Sequence, residues 1–343
     1  MRIRSSLVAV ASLALAAACS GSEPEAAAES GATMADRVAQ FAPVTLDFDA
    51  SLLDDRQKRV MRLLVEASDH LDAIYRLQVW RGNADPAAVL PDPGTPEAAA
   101  IHDYYELMYG PWDRIAEEEP FVAGVGPKPA GAGSYPEDMT KEEFEEWIGL
   151  NRGDAAAFTS YYTVIERDNG GLRAVPYSQA YVEQLESAAA ALRDAAEHAD
   201  NPSLERFLRL RAESFLTDDY FDSEIAWMRL VDNLIDPTIG PYEVYEDGLF
   251  GYKASFESFI GFKDPEASGL LAGLAARLPA LERALPSPDE HKYLDRDFTS
   301  PISVIDLVYG AGETRPGVQT IAFNLPNDAR VRETEGSKKV MLR

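Results

Sequence analysis

The sequence predicts an α+β protein, predominantly α-helical, with a small antiparallel β-sheet or barrel formed mainly by its C-terminal third. Three observations carry that expectation. Up to about residue 236 the apolar residues recur at steps of three and four, as on one face of a helix. From Ile239 onward the text changes to short runs that alternate in polarity, among them Phe256–Ile260, Pro301–Tyr309 and Val318–Leu325. Glycine, proline and asparagine pairs mark the breaks between runs.

Length and charge set bounds. The 343 residues suffice for two domains, and the apolar fraction of 46% is that of a folded protein. A formal charge of −26 argues against a nucleic-acid partner, because phosphates would be repelled. The acidic residues are spread along the chain and read as a solvated surface.

The N-terminus reads as a signal peptide over residues 1–18. Arg2 and Arg4 precede an apolar segment, Leu7 to Ala18, too short to span a bilayer. Leu15-Ala16-Ala17-Ala18-Cys19 resembles a bacterial lipobox, with Ala16 where a larger aliphatic residue is commoner. Cys19 is the only cysteine, so no disulfide can form within the monomer, and lipid attachment explains a lone thiol in an exported chain. An ordinary cleaved signal with an incidental cysteine is the other reading. Ser20, in place of an acidic residue, favours outer-membrane sorting by resemblance to known lipoproteins. Residues 19–33 then form a tether of Ser, Gly, Glu and Ala. The expected address is periplasmic, anchored to the membrane through Cys19.

Residues 34–236 form the mainly helical region. A long helix from about Leu53 to Trp80 carries Val60, Leu64, Ala67, Leu71 and Ile74 on one face, and Gly82-Asn83 end it. His70 beside that stripe reads as a helix residue. Tyr104, Tyr105, Tyr109 and Trp112 are candidates for packing or for lining a cleft. Gly124–Gly133 is no phosphate loop, because its prolines remove amide donors and no Lys-Ser or Lys-Thr pair follows. Thr140-Lys141-Glu142-Glu143 is a capping box, with Phe144, Trp147 and Ile148 behind it. Tyr161–Ile165 and Leu172–Val175 flank Asp168-Asn169-Gly170-Gly171 as a hairpin. One helix starts near Ser178 and turns Val182, Leu185, Ala189, Leu192 and Ala196 inward. Another opens with Asn201-Pro202 and buries Leu204, Phe207, Leu208 and Phe215. Asp218, Asp219, Asp222 and Glu224 lack the spacing of a calcium loop and read as solvated or capping carboxylates.

Residues 237–343 form a mixed α/β region, with a helix over 268–285 and an irregular acidic stretch over 287–297. Gly240-Pro241 reads as a turn into a strand that places Glu243 and Tyr245 on one face. An acid beside a phenol suits a peptide's free ammonium. Val318 to Leu325 reads as a strand with Ile321, Phe323 and Leu325 toward a core and Thr320, Ala322 and Asn324 on a groove wall. Pro326 and Asn327 stop it.

The run from Asn324 to Leu342, N-L-P-N-x-x-x-V-R-x-T-E-G-x-K-x-V-x-L, resembles a segment of the dipeptidyl-peptidase III family, zinc metallopeptidases that cut dipeptides from peptide N-termini. The resemblance implies an edge strand of a substrate cleft, with Asn324 and Asn327 holding the substrate's N-terminus and backbone. Gly-Pro followed by Glu-x-Tyr resembles the family segment that binds the N-terminal end, one residue shorter here, which gives that role to Glu243 and Tyr245. Phe256-Glu257-Ser258-Phe259-Ile260 also resembles the family, and a different alignment moves the acid's role to Glu257. The partner so implied is a peptide with a free N-terminus, and the implied cofactor is zinc.

The zinc ligands are not in this sequence. Such a site needs two His and a Glu on a helix plus a third ligand, whereas His70, His102, His198 and His291 lie far apart. The sequence also lacks G-x-S-x-G, a catalytic cysteine free after export, and a dinucleotide fingerprint. The chain therefore reads as the N-terminal, substrate-cleft portion of an exported zinc dipeptidyl peptidase, cut before its metal-binding half and inactive as it stands. The alternatives are a non-catalytic peptide-binding or interaction lipoprotein, and a helical lipoprotein that uses only its surface.

Overall fold

The computed structural model describes residues 32–46, 49–292 and 302–343. The signal segment 1–18, Cys19 and the tether up to residue 31 lie outside the described residues, as does the acidic stretch from 293 on.

Helix α1 (Met34–Val38) leads to the long α2 (Asp55–Val79). Asp54 caps α2 by accepting from the Gln57 N–H, and Gln57 reciprocates toward the Asp54 backbone. The stripe Val60, Leu64, Ala67, Leu71 and Ile74 is buried throughout. The Asn83 amide then donates to the Arg76 and Tyr109 carbonyls (2.7 and 2.9 Å), closing the helix end against the segment after α3 (Pro96–Met108). Tyr104, Tyr105, Tyr109 and Trp112 are buried, so these aromatics are packing residues. Two short strands, β1 (Trp112–Asp113) and β2 (Glu119–Pro120), pair beside them.

Helix α4 (Lys141–Leu150) follows. Thr140 accepts from the Glu143 N–H, but the Glu143 carboxylate accepts from Arg167 (2.7 Å), so only half of the expected capping box forms. After α5 (Ala155–Phe158), strands β3 (Thr163–Asp168) and β4 (Gly171–Pro176) make the hairpin. Its two central residues, Asn169 and Gly170, both have positive φ (47° and 82°), as this tight turn requires. The short α6 (Tyr177–Ala180) precedes α7 (Val182–His198). Val182, expected inside, is 43% exposed because it opens α7 before the helix reaches the core; Leu185, Ala189, Leu192 and Ala196 are buried. Helix α8 (Pro202–Thr217) starts at Asn201, whose side chain accepts from the Ser203 and Leu204 N–H groups. Helix α9 (Phe221–Met228) completes the helical layer. Of the acidic knot before it, Asp218 holds Ser178 and Asp219 caps Phe221.

The C-terminal region contributes β5 (Ile235–Glu243), β6 (Ser255–Lys263), β7 (Ile302–Gly312), β8 (Ala322–Leu325) and β9 (Lys338–Leu342), with α12 (Ala329–Glu335) between the last two. Helices α10 (Pro265–Ala275) and α11 (Leu278–Ala284) replace the single helix expected over 268–285, since Pro279 near the start of α11 supplies no N–H to continue the ladder. The strands form one sheet in the order β5-β6-β7-β9-β8. All pairs are antiparallel except β7–β9, because α12 returns the chain in the direction of β7. The α+β class is as expected, with a mixed sheet. Phe256 and Ile260 of β6, Ile305 of β7 and Val340 of β9 share one core with Leu64, Leu192, Phe207 and Trp227 from the helices. Burying this much apolar surface between the two layers supplies most of the stabilisation.

Two expectations for this region change. Gly240-Pro241 is not a turn but lies inside β5, where a Cβ on Gly240 would stand 2.2 Å from Arg211 Nη1. The strand expected over 318–325 is confined to Ala322–Leu325. Gly317 donates to the Leu107 carbonyl (3.0 Å) at the end of α3, which draws the chain before Ile321 off the sheet; the Ile321 carbonyl accepts from the Leu342 N–H (2.9 Å), but its side chain is 79% exposed. Leu325 is buried, while Phe323 is only half-buried and stacks on Phe259.

Candidate functional site

Side chains from three neighbouring strands meet at one end of the sheet. Glu243 ends β5, opposite Ser255 of β6; a register shift between Pro241 and Glu243 re-aims this strand end. Glu257 lies two residues along β6 from Ser255, on the same face, and pairs with Gly312 of β7, which places Glu313 next to it. A cavity of about 770 Å³ opens over this face. Its lining includes Glu243, Tyr245, Glu257, Phe259, Glu313, Phe323, Asn324 and Asn327, with Arg114 and Lys128 from the helical region.

All four residues singled out from the sequence therefore line one cavity, and so does Glu257, the alternative acid. Their elements differ from expectation in one respect. Tyr245 lies beyond the end of β5 and is 79% exposed, so it reaches the cavity from a loop and does not share a strand face with Glu243. The negative charge of Glu243 is the main reason its phenol is harder to ionise than usual. Asn327 donates through Nδ2 to the Tyr242 carbonyl (2.9 Å), tying the residue after β8 to the one before Glu243. Strand β8 is last in the sheet, leaving one backbone edge without a neighbouring strand among the described residues.

The cations of the cavity are already engaged. Glu246 accepts from Arg114 (2.6 Å), Lys128 (2.9 Å) and the Tyr75 hydroxyl (2.6 Å), and Lys128 also pairs with Glu118 (3.0 Å). Burial would raise the Glu246 carboxyl, but the two cations and the phenol overcome it and hold it down at about 2. Among the described residues no ion pair serves Glu257 or Glu313. Burial first, then the charges of Glu246 and Glu243, push Glu313 up to about 8, against the opposing pull of Arg114. Burial, with the charges of Glu313 and Glu243, raises Glu257 well above the usual carboxylate range.

No group of three or more His, Cys, Asp or Glu side chains able to hold a metal ion occurs among the described residues. The His102 ring faces the Pro91 carbonyl (2.8 Å), and His70, His198 and His291 sit on separate elements. The residues present thus do not fit a zinc site.

A family model described as peptidase family M49 matches residues 166–343, more than half of the chain and including every strand of this sheet. The chain belongs to peptidase family M49. Its fold is that of a solved structure described as DPP III from Caldithrix abyssi, with a TM-score of 0.86 and 50% identity over 89% of this chain and 58% of that one. Dipeptidyl-peptidase III from Corallococcus sp. strain EGB is also similar, with a TM-score of 0.82 and 41% identity over 90% of this chain and 57% of that one. A curated relative, Nudix hydrolase 3 of Arabidopsis thaliana, is 33% identical over 89% of this chain and 46% of its own length. The chain spans about half the length of these relatives. The likeness to the dipeptidyl-peptidase III family seen in the sequence is thereby established.

Sequence reasoning missed Glu313, Glu246, Arg114 and Lys128. Nothing local distinguishes Glu313 from the other surface acids; only the register of β6 against β7 brings it to Glu257. Arg114 and Lys128 come from irregular chain on either side of β2, where no periodicity points to a site.

Proposed function

We propose that this chain supplies the substrate cleft of a dipeptidyl peptidase, with zinc as the catalytic metal of the whole protein. The supporting observation is the convergence of Glu243, Tyr245, Asn324 and Asn327 on one cavity beside the free edge of β8. The described residues do not fit a zinc site, so the metal's ligands would come from outside them.

This chain's own part is binding and measuring. An extended peptide adds to the edge of β8 through main-chain hydrogen bonds, which give affinity without selecting a sequence. Its α-ammonium, charged below about pH 8, meets the Glu243 carboxylate at the closed end of the groove. The Tyr245 ring walls that end, and the amides of Asn324 and Asn327 bind the first peptide units. A fixed blind end counts residues from the free amine, the property a dipeptidase needs. On the same reading the chain is exported and held at the membrane through a lipid on Cys19.

A charge-assisted hydrogen bond of this kind contributes about 1.5–3 kcal/mol, or roughly 10- to 100-fold in affinity. A free-amine tetrapeptide should therefore bind that much more tightly than its N-acetyl form, and Glu243→Ala should abolish the difference. Calorimetry that finds the two peptides equal with the unaltered chain would remove the ammonium assignment.

A further inference from the structure

The two oxygens of Glu313 are buried in the cavity wall, and among the described residues no hydrogen bond of good geometry reaches either, although the Ser255 hydroxyl is close enough to favour the ion. A buried carboxylate left this way is costly in any fold, so such groups either hold a proton or await a cation. Glu257, 4% exposed, stands beside it on the paired strand, at the position where Gly312 lets the two backbones approach. A Cβ on Gly312 would lie 2.1 Å from the Phe256 carbonyl oxygen and 2.9 Å from the Glu257 Cα, so this closeness is built into the sheet. The groups facing the pair are Glu243 and Tyr242 from β5, Glu246, Tyr245, Tyr75 and Glu118, and the cations Arg114 and Lys128. Both cations are bound to Glu246 and leave the pair largely unneutralised.

We propose that Glu313 is a further member of the ammonium site, sharing one proton with Glu257 in the free protein and releasing it when a peptide's α-ammonium binds. The inference rests on the reading of Glu243 as the ammonium acid and extends it. Two adjacent buried acids cannot both ionise at moderate cost, so one proton stays with the pair. The arriving ammonium brings a positive charge to the same cavity and removes the reason for that proton. The exchange balances: the ammonium keeps its three hydrogens, the pair becomes fully ionised, and one proton leaves to solvent. Binding is therefore linked to pH. Release of one proton makes affinity rise about tenfold per pH unit while the pair still holds its proton, and the rise ends near pH 8, where the pair and the ammonium both deprotonate.

Two measurements test it together. In the infrared, the free chain at about pH 6.5 should show the carbonyl stretch of a protonated carboxylic acid, lost on raising the pH and absent in Glu313→Gln or Glu257→Gln. Two variants are used because either alone could misfold. In calorimetry at that pH, in buffers of different ionisation enthalpy, a free-amine tetra-alanine should release about one proton per molecule bound, and Glu313→Gln should bind it with no release. Absence of the acid band overturns the proposal whatever the peptide does. Free-amine preference without proton release, or release that persists in both variants, overturns it while leaving the Glu243 reading intact. Equal binding of free and acetylated peptide removes that reading and the proposal with it.

Discussion

Lys253 shows how much one buried residue can organise. It is 2% exposed, and its ammonium donates to the carbonyls of Phe158 (2.7 Å) and Ser160 (2.9 Å) and to the Thr163 hydroxyl (2.9 Å). It thus pins α5 and the start of β3 to the segment before β6. Burial lowers its pKa to about 7, with Asp247 opposing the shift. Lys253→Met would remove three hydrogen bonds, two of them buried, and should cost about 2 kcal/mol in urea denaturation. The pH dependence has a definite sign. Between about pH 7 and the ordinary lysine value near 10 the unfolded chain binds more protons, so this group's contribution to stability rises with pH. The deficit of the methionine variant should be larger at pH 9 than at pH 7; a deficit that shrinks would mean that the lysine is not buried in this way.

At the scale of elements, the site depends on how β6 and β7 approach. Gly312 has φ 71° and no room for a Cβ, whereas Gly336 has φ 76° and open space around it. Both substitutions to alanine carry the strain of the left-handed region, of order 1 kcal/mol. Only Gly312→Ala also forces the Phe256 carbonyl away. It should lose about 2–3 kcal/mol where Gly336→Ala loses about 1, and should weaken free-amine peptide binding where Gly336→Ala does not. Equal costs in the two variants would mean that the strands can part without strain. The same logic explains the short β8. Its residues were readable as an alternating strand, but Gly317 bonds to the end of α3 and the chain meets β9 at the Ile321 carbonyl, just before the strand begins at Ala322.

Across the whole molecule, one apolar core joins the helical layer to the sheet, so the cavity is held by both. Arg114 and Lys128, from the helical region, reach Glu246 beyond β5 and line the same cavity as Glu257. Among the described residues no helix is long and apolar enough to cross a membrane. A chain with formal charge −26 is also repelled by anionic lipid surfaces. On the proposed reading, membrane residence comes from acyl chains at Cys19, each buried CH₂ contributing about 0.8 kcal/mol. In a bacterial host the unaltered chain should sediment with membranes and incorporate a labelled fatty acid, and Cys19→Ala should do neither. A labelled fatty acid retained by the alanine variant would place the attachment elsewhere.

What could be read without coordinates was local. The stripe on α2, the cap at Asn201-Pro202 and the Asn169-Gly170 turn depend on neighbours within a few residues, and each formed where the pattern placed it. The family segment at Asn324–Leu342 was legible for a related reason, because fixed spacing in one stretch needs no folding to be recognised. It led to Asn324, Asn327, Glu243 and Tyr245, which share a cavity. The tertiary structure alone decided that Tyr245 stands off its strand, that Ile321 faces solvent and that Glu313 lies against Glu257. Periodicity fixes which face a side chain takes on its own element. Register between strands, set by where the chain turns and how the core packs, fixes which distant side chains meet.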